Sequence, residues 1–325
     1  MITIRDIANQ AGVSVSTASR ALNDNPRISA ATRRRIQSLA ARLGYVPNYN
    51  AKSLTRGEAN VVGVVFPPSQ SSTQGNPFFI DAMRGINRVL TQRQYVLSVA
   101  IGETSDDVLA NVSAMVDQAK VKRFVLLYSH EDDPVADYLR LAGLRFVIVG
   151  QPSVSHDDDY VDNDNVAAGE AGATYLIDKL HANRPVFVSS AVDWPYEQNR
   201  RQGFKQVATK RGVPTAETQL PRADAPIASI TEWLESHPNI DGILATDDLI
   251  GLSFYQRWQH VHPDAQVPLV SYNRSISLPL PNVNFHSIDL YPERLGAAAA
   301  ELVFRKHSTE AGHENRIILP FEQLN

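Results

Sequence analysis

Cysteine is missing from all 325 residues. That excludes disulfides, thiol catalysis and Cys-based zinc or iron–sulfur sites, and it fits a reducing compartment. No apolar run nears the ~20 residues of a membrane helix. The opening MITIRDIANQ also has no basic start followed by an apolar stretch, so neither a secretory signal nor membrane attachment is expected, and a cytoplasmic location is. Signature loops of chemistry are missing too: there is no GxGxxG, no GxxxxGK[ST], and no GxSxG around Ser189 or Ser190. The acidic run HDDDYVDNDN (156–165) lacks the central Gly and terminal Glu of a calcium-binding EF-hand loop and reads as a solvated crossover. His260 and His262 form only an isolated H-x-H, a surface pair rather than a metal site. No cofactor or metal is implied. The only cheap acid/base candidate for an enzyme is Asp247-Asp248.

What is present is an ordinary globular composition, 43% hydrophobic and 20% charged, in a chain long enough for two or three domains. The formal net charge of −4 conceals an asymmetry. Residues 1–60 hold nine Lys/Arg against three Asp/Glu, leaving the remainder at −10. A basic head on an acidic body points to a polyanion partner for the head.

Within that head, VSVSTASRALN (13–23) follows Gly12. Thr3 and Asp6 have the spacing of a capping box for a first short helix, Gly12 can end it in the left-handed conformation, and Ser14 can cap the next. On that second helix Ala18 and Leu22 share one face, Ser16 and Arg20 lie opposite, and Thr17 and Ser19 flank them. An Arg on the outer face suits bidentate contact with guanine, and hydroxyls suit phosphates. A third amphipathic helix from Ser29 to Leu43 turns Ile36, Leu39, Ala40 and Leu43 inward and Arg33, Arg34, Arg35 and Arg42 outward, completing a helix-turn-helix. A small helical hairpin capping a larger domain is the alternative from spacing alone.

After Gly44-Tyr45-Val46-Pro47 comes NYNAKSLTRGEAN. It is a linker, or a short hinge helix capped by Asn48 that forms when two copies meet on DNA, with Leu54 as an apolar wedge in the minor groove. From Val61 onward short β-rich runs alternate with amphipathic helices. The runs are 61–66, 95–101, 123–128 and 145–150, then 185–190, 242–246, 268–272 and 284–288. Helices are expected near 77–93, 105–119, 133–142, 165–181, 197–211, 225–237, 247–260 and 291–306. Continuous apolar strands between helices mean parallel sheets covered on both faces, and two such series mean two doubly wound halves. The polar stretch 151–164 is expected to cross between them. The expected division is a helix-turn-helix domain over 1–46, hinge and linker over 47–60, and a core over 61–325. Within the core, 61–160 and 289–310 form one subdomain, and 164–287 and 314–325 the other.

Ligands of open parallel sheets sit beyond the carboxyl ends of strands. That rule selects Asn76, Phe78 and Phe79, Tyr128-Ser129, Gly150-Gln151, Ser190 to Trp194, Thr246 to Asp248, and Tyr272 to Arg274. Aromatics, amides, carboxylates and arginine suit a polyhydroxylated ligand. Packing in the core is the alternative for Phe78 and Phe79, and helix capping for Asp247. Arg200, read as a first-turn arginine of a helix starting near Glu197, is unfavourable beside a positive helix end unless a ligand compensates.

With these residues in view, the whole chain resembles bacterial transcription regulators of the lactose-repressor (LacI/GalR) family. The resemblance is carried by TIRDIANQAGVSVSTASRALN, ISAATRRRI and LGYVPNYNAKSL, then by VGVVFP, NPFF, RGI, VDNDN, RRQGF, ATDD and SYN in order. VDNDN and SYN are most similar to the family's maltose-type repressors. The resemblance implies a homodimer on a pseudopalindromic operator, double-stranded DNA bound by the head, and a periplasmic-binding-protein-like core sensing a small sugar, possibly maltose or a maltodextrin. Matched by position, Val15, Ser16 and Arg20 face bases and Thr17 and Ser19 hold phosphates. Asn48, Ala51 and Leu54 fall on the hinge helix. Phe78, Phe79, Asp164, Arg200, Asp247 and Asn273 line the effector cleft, which Trp194 joins from the strand-end rule. Two positions depart from the pattern: Val15 is apolar where many relatives read bases with a polar group, and Asn273 stands where sugar-binding relatives often carry Asp. The ending FEQLN has no heptad tail of the kind that makes tetramers, so a dimer is expected. The implied mechanism is allosteric repression without enzymatic activity. The rivals are control by a protein corepressor, and a sugar-modifying enzyme with an accessory DNA-binding head.

Overall fold

The computed structural model describes residues 2–45, 59–69, 75–152, 157–220, 230–276, 282–305 and 315–324. The chain forms two units, Met1–Ala59 and Asn60–Asn325. The hinge positions Asn48, Ala51 and Leu54 lie outside the described residues.

Three helices, α1 (Ile4–Ala11), α2 (Val15–Leu22) and α3 (Ala30–Arg42), build the first unit. The Thr3 N–H donates to Asp6 Oδ2 at 2.8 Å and the Asp6 N–H to Thr3 Oγ1 at 3.3 Å, the capping box the spacing predicts. Those bonds from Thr3, its N–H foremost, hold the Asp6 carboxyl below its ordinary range. Gly12 ends α1 at φ 65°. Ser14 accepts the Thr17 N–H at 3.1 Å to start α2, and Ser29 accepts the Thr32 N–H at 3.2 Å to start α3. Each such cap is worth about 1 kcal/mol. Ile7, Ala8, Ala11, Ala18, Ala21, Ile36 and Ala40 are buried between the helices. The α3 arginines stay at the surface, with Arg33 half-buried, yet two of them also hold the fold. Arg35 donates to Ala11 O at 3.0 Å and Arg33 to Asp24 O at 3.1 Å, tying α3 to the end of α1 and the loop after α2.

The second unit is two parallel sheets. Strands β1 (Val61–Val65), β2 (Val96–Ala100), β3 (Arg123–Leu126), β4 (Arg145–Val149) and β5 (Tyr160–Asn163) alternate with α4 (Pro77–Gln92), α5 (Ser105–Asp117) and α6 (Pro134–Leu141). Helix α7 (Asn165–Thr174), extended by a π turn over Tyr175–Lys179, opens the second half. There β6 (Pro185–Ser190), β7 (Ala216–Leu220), β8 (Gly242–Ala245), β9 (Leu269–Tyr272) and β10 (Phe285–Ile288) alternate with α8 (Pro195–Arg211), α9 (Thr231–Glu235) and α10 (Asp248–Val261). Helix α11 (Pro292–Leu302) and β11 (Arg316–Leu319) return to the first half. The sheet orders are β11-β5-β4-β3-β1-β2 and β10-β9-β8-β6-β7.

Period-two alternation explains the unbroken apolar strands. Val62, Val64, Val125 and Val147 face α4 and α11, whereas Val65, Phe124, Leu126 and Ile148 face α5 and α6. In the second half Phe187, Leu244 and Val270 meet α7 and α8, and Val188, Ile243 and Leu269 meet α10. Gly169 and Gly203 let α7 and α8 cross backbone against backbone. A Cβ at Gly169 would lie 2.1 Å from Arg200 O, and one at Gly203 the same distance from Val166 O.

Two expectations are corrected. The acidic run 156–165 contains a strand: β5 lies buried between β4 and β11, so the chain leaves the first half only after Asn163. Residues 316–319, expected in the second subdomain, pair with β5 in the first sheet, Arg316 opposite Tyr160 and Leu319 opposite Asn163. The edge position of β11 explains its half-exposed alternation, with Ile318 52% exposed. Only beyond it do Phe321 and Leu324 pack on the second subdomain. Edge strand β7 was likewise unforeseen, because AETQL carries too little apolar signal.

Candidate functional site

The carboxyl ends of β1, β3, β4 and β5 and of β6, β8 and β9 open onto one cleft, about 890 Å³ counted out to its mouth. The first subdomain contributes aromatic walls from the start of α4. Asn76 accepts the Phe78 N–H at 3.0 Å, and Pro77 presets the first helical turn. Phe78 and Phe79 therefore leave the helix start together, edge to face at 5.6 Å, lining the cleft while also packing on the core. From the second subdomain come Trp194, Pro195 and Tyr196, at the start of α8.

Polar groups converge between these walls, and most are buried. Arg200 donates through Nε to Asn165 Oδ1 at 3.0 Å and through a terminal nitrogen to Thr246 O. Its guanidinium carbon lies 4.7 Å from the Tyr196 ring centre and 4.6 Å from that of Tyr272. Two sandwiching rings and two acceptors hold the cation in place out of water. Asp162, at the end of β5, accepts the Gln151 N–H at 2.9 Å, the Asn163 N–H at 2.8 Å and Asn165 Nδ2 at 3.0 Å. Burial nonetheless pushes its carboxyl up to about 6, against the pull of those bonds and of Arg200. Asp247 caps α10 by accepting the Ile250 N–H at 2.8 Å, and receives Asn76 Nδ2 from the opposite subdomain at 3.4 Å. Burial raises it to about 6 as well. Asn273 holds φ 91°, a left-handed conformation that amides tolerate better than most residues. Its N–H donates to Ile288 O at 3.0 Å.

Glu197 stands behind the wall. It is buried and accepts the Ser190 N–H at 2.9 Å, Ser190 Oγ at 2.6 Å, the Trp194 N–H at 2.9 Å and Thr246 Oγ1 at 2.8 Å. One carboxylate thus ties the end of β6, the start of α8 and the end of β8 into a fixed frame for Trp194 and Arg200. In the helical unit, α2 presents a separate polar face, with Val15 43% exposed beside exposed Ser16 and Arg20, and half-buried Thr17 and Ser19 flanking them.

Residues 3–48 match the family described as "Bacterial regulatory proteins, lacI family", and residues 59–323 match "Periplasmic binding proteins and sugar binding domain of LacI family". The chain belongs to the LacI family. Among curated relatives, the HTH-type transcriptional regulator MalR of Staphylococcus xylosus is 30% identical over 306 residues, 93% of this chain and 90% of the relative. The HTH-type transcriptional regulator CelR of Thermobifida fusca is 26% identical over 98% of this chain and 95% of the relative. Among solved structures, a transcriptional regulator CelR–cellobiose complex superimposes with a TM-score of 0.71 at 23% identity, covering 100% of this chain and 99% of that one. The lac repressor dimer bound to operator and the anti-inducer ONPF gives 0.75 at 18% identity, covering 98% and 96%. This LacI-family protein is therefore a transcription regulator with a DNA-binding helix-turn-helix head and a sugar-sensing core.

In it Phe78, Phe79, Trp194, Arg200, Asp247 and Asn273 do meet in one cleft. Asp164 does not: it is an exposed cap of α7, accepting the Ala167 N–H at 2.9 Å, and the carboxylate that reaches the cleft is Asp162. Strand alternation is the reason, since the unforeseen strand β5 aims Asp162 inward and Asp164 already belongs to the next helix. Nor is Arg200 in a first turn. Pro195 begins α8 two residues earlier than expected, so tyrosine rings and acceptors, not a helix dipole, set its surroundings. Asp248 turns away from the cleft toward Ser271, Ser287 Oγ at 2.7 Å and the Ser275 N–H at 2.6 Å. The strand-end rule also leaves out Tyr196 and Glu197. The spacing W-P-Y-E was the usable signal for Glu197, a carboxylate three residues after the residue preceding the helix.

Proposed function

We propose that the protein is a repressor that binds a pseudopalindromic operator as a homodimer and releases or holds it according to a small α-glucoside, maltose or a maltodextrin, in the cleft. In this reading Val15, Ser16 and Arg20 face bases and Thr17 and Ser19 take phosphates. Arg20 reads guanine, and the Val15 methyls meet a thymine methyl. The sugar stacks against Phe78, Phe79 and Trp194, while Asp162, Arg200, Asp247 and Asn273 exchange hydrogen bonds with its hydroxyls.

The observation that carries the reading is the convergence of aromatic faces and buried, pre-oriented polar groups in one cleft between two subdomains. The 30% identity to regulators named MalR supports the α-glucoside over other sugars. Asn76 and Asp247 already touch across the cleft, so a ligand bridging them changes how the halves are held. Coupling of about 1–3 kcal/mol would alter operator affinity by about five- to 150-fold. Calorimetry of the full chain against maltose, maltotriose, cellobiose and ribose, followed by operator binding with and without the tightest ligand, tests this. An α-glucoside that binds and moves operator affinity within that range is expected. Absence of α-glucoside binding, or binding that leaves operator affinity unchanged, overturns it.

A further inference from the structure

Beside the cleft runs a second space, a groove of about 1100 Å³ counted to its open side. It lies along the same rim of the first sheet, between Pro68 after β1, Thr104 to Asp106 at the start of α5, and His130 to Pro134 after β3. Its fourth side is Val192 and Trp194 from the second subdomain. Tyr128 and Trp194 line both spaces. The two cavities are therefore neighbours through a shared aromatic wall.

That wall is built rather than incidental. The Trp194 indole is held edge to face between the Tyr128 ring at 6.3 Å and the His130 ring at 5.9 Å. Its backbone N–H is fixed by buried Glu197. Beyond it the groove offers the exposed His130 imidazole, the exposed carboxylates of Asp106 and Asp132, and the Ser105 hydroxyl. Asp132 sits at φ 54°, a left-handed backbone uncommon outside glycine. An aromatic edge followed by short polar acceptors is carbohydrate-binding chemistry. A cation site would be the competing use of the carboxylates, but among the described residues no group of three or more His, Cys, Asp or Glu could hold a metal.

Resting on the reading of the cleft as an α-glucoside site, we propose that this groove is an extension subsite for a longer glucan. The first two sugar units fill the cleft, and the third and fourth pass the Trp194 edge to meet His130 and Asp132. The protein would then discriminate by chain length, responding to maltodextrins more strongly than to maltose.

Calorimetry of the full chain with maltose, maltotriose and maltotetraose, on the unaltered protein and on His130→Phe/Asp132→Asn, in which Phe keeps a ring against Trp194 while removing the imidazole nitrogens, tests the proposal. The expected result is about tenfold tighter binding of maltotetraose than of maltose, lost in the double variant while maltose affinity is unchanged. Maltose affinity also reports that the variant is folded, and Asn is tolerated at the left-handed position. Equal affinity for all three sugars, or a length preference that survives the double substitution, overturns the subsite and leaves the cleft reading standing. Failure of every α-glucan to bind overturns the cleft reading itself, and the subsite with it.

Discussion

The helical head and the cleft of the core treat polarity in opposite ways. On α2 the polar groups stand in water: Ser16 and Arg20 are exposed, and Ser14 is bonded to the hydroxyls of Ser16 and Thr17 at 2.9 Å. In the cleft Arg200, Asp162, Asp247 and Glu197 are buried, and each is held by two to four partners. An exposed face gains its energy on contact with a charged partner, and screening by salt weakens it. A buried cluster has met its ordering cost during folding and meets its ligand preorganised. The head should accordingly tolerate substitution without loss of fold, while the cleft should not.

The most forceful way to break that contrast is Arg200→Met. The substitution removes hydrogen bonds to Asn165 and Thr246 and the cation between Tyr196 and Tyr272. It also leaves Asp162 and Asp247 without their stabilising positive neighbour. Loss of about 3 kcal/mol in denaturant unfolding is expected, together with loss of measurable sugar binding. Retained sugar affinity in a stable variant would place Arg200 outside the binding chemistry and erase the distinction.

Arg20→Ala is the counterpart in the head. Exposed on α2, it should leave the unfolding midpoint unchanged. Its loss should weaken operator binding by about 1–3 kcal/mol, a factor of about five to 150, and binding to random DNA far less. Gel-shift titrations on both DNAs at two salt concentrations measure this. An equal loss on operator and random DNA would make Arg20 a phosphate contact, and a shifted unfolding midpoint would make it structural.

The same contrast governs what could be read from the sequence. The head's information is local: Thr3 with Asp6, Gly12 and Ser14 each act within four residues, and α1, α2 and α3 emerge where those signals place them. The core's alternating strands and helices were equally legible, because valine-rich runs buried on both faces leave an unbroken signature. The edges were not. Strands β5, β7 and β11 are short and mixed in polarity, and partners distant in sequence, β11 for β5 and β6 for β7, decide whether such segments join a sheet. The error at Asp164 follows directly, since a missed strand shifts which carboxylate faces inward. Glu197 escaped notice because its partners Ser190 and Thr246 are brought to it only by the fold.

The finest test of the comparison is pH. Helix α2 carries no Asp, Glu or His, whereas burial raises Asp162 and Asp247 to about 6 from about 3.9 in an unfolded chain. Between those values the folded protein binds more protons than the unfolded one, so stability is full below about 4 and falls as pH rises through about 6. Thermal unfolding of the ligand-free protein should show that decline between pH 4.5 and 6.5, reduced in Asp247→Asn, whose side-chain oxygen can still accept the Ile250 N–H. Sugar hydroxyls donate to the ionised carboxylates, so affinity should move the other way and rise about tenfold from pH 5 to pH 7. A sugar affinity flat across that range would mean that neither carboxylate accepts from the ligand, and would leave Arg200 and Asn273 as the polar contacts.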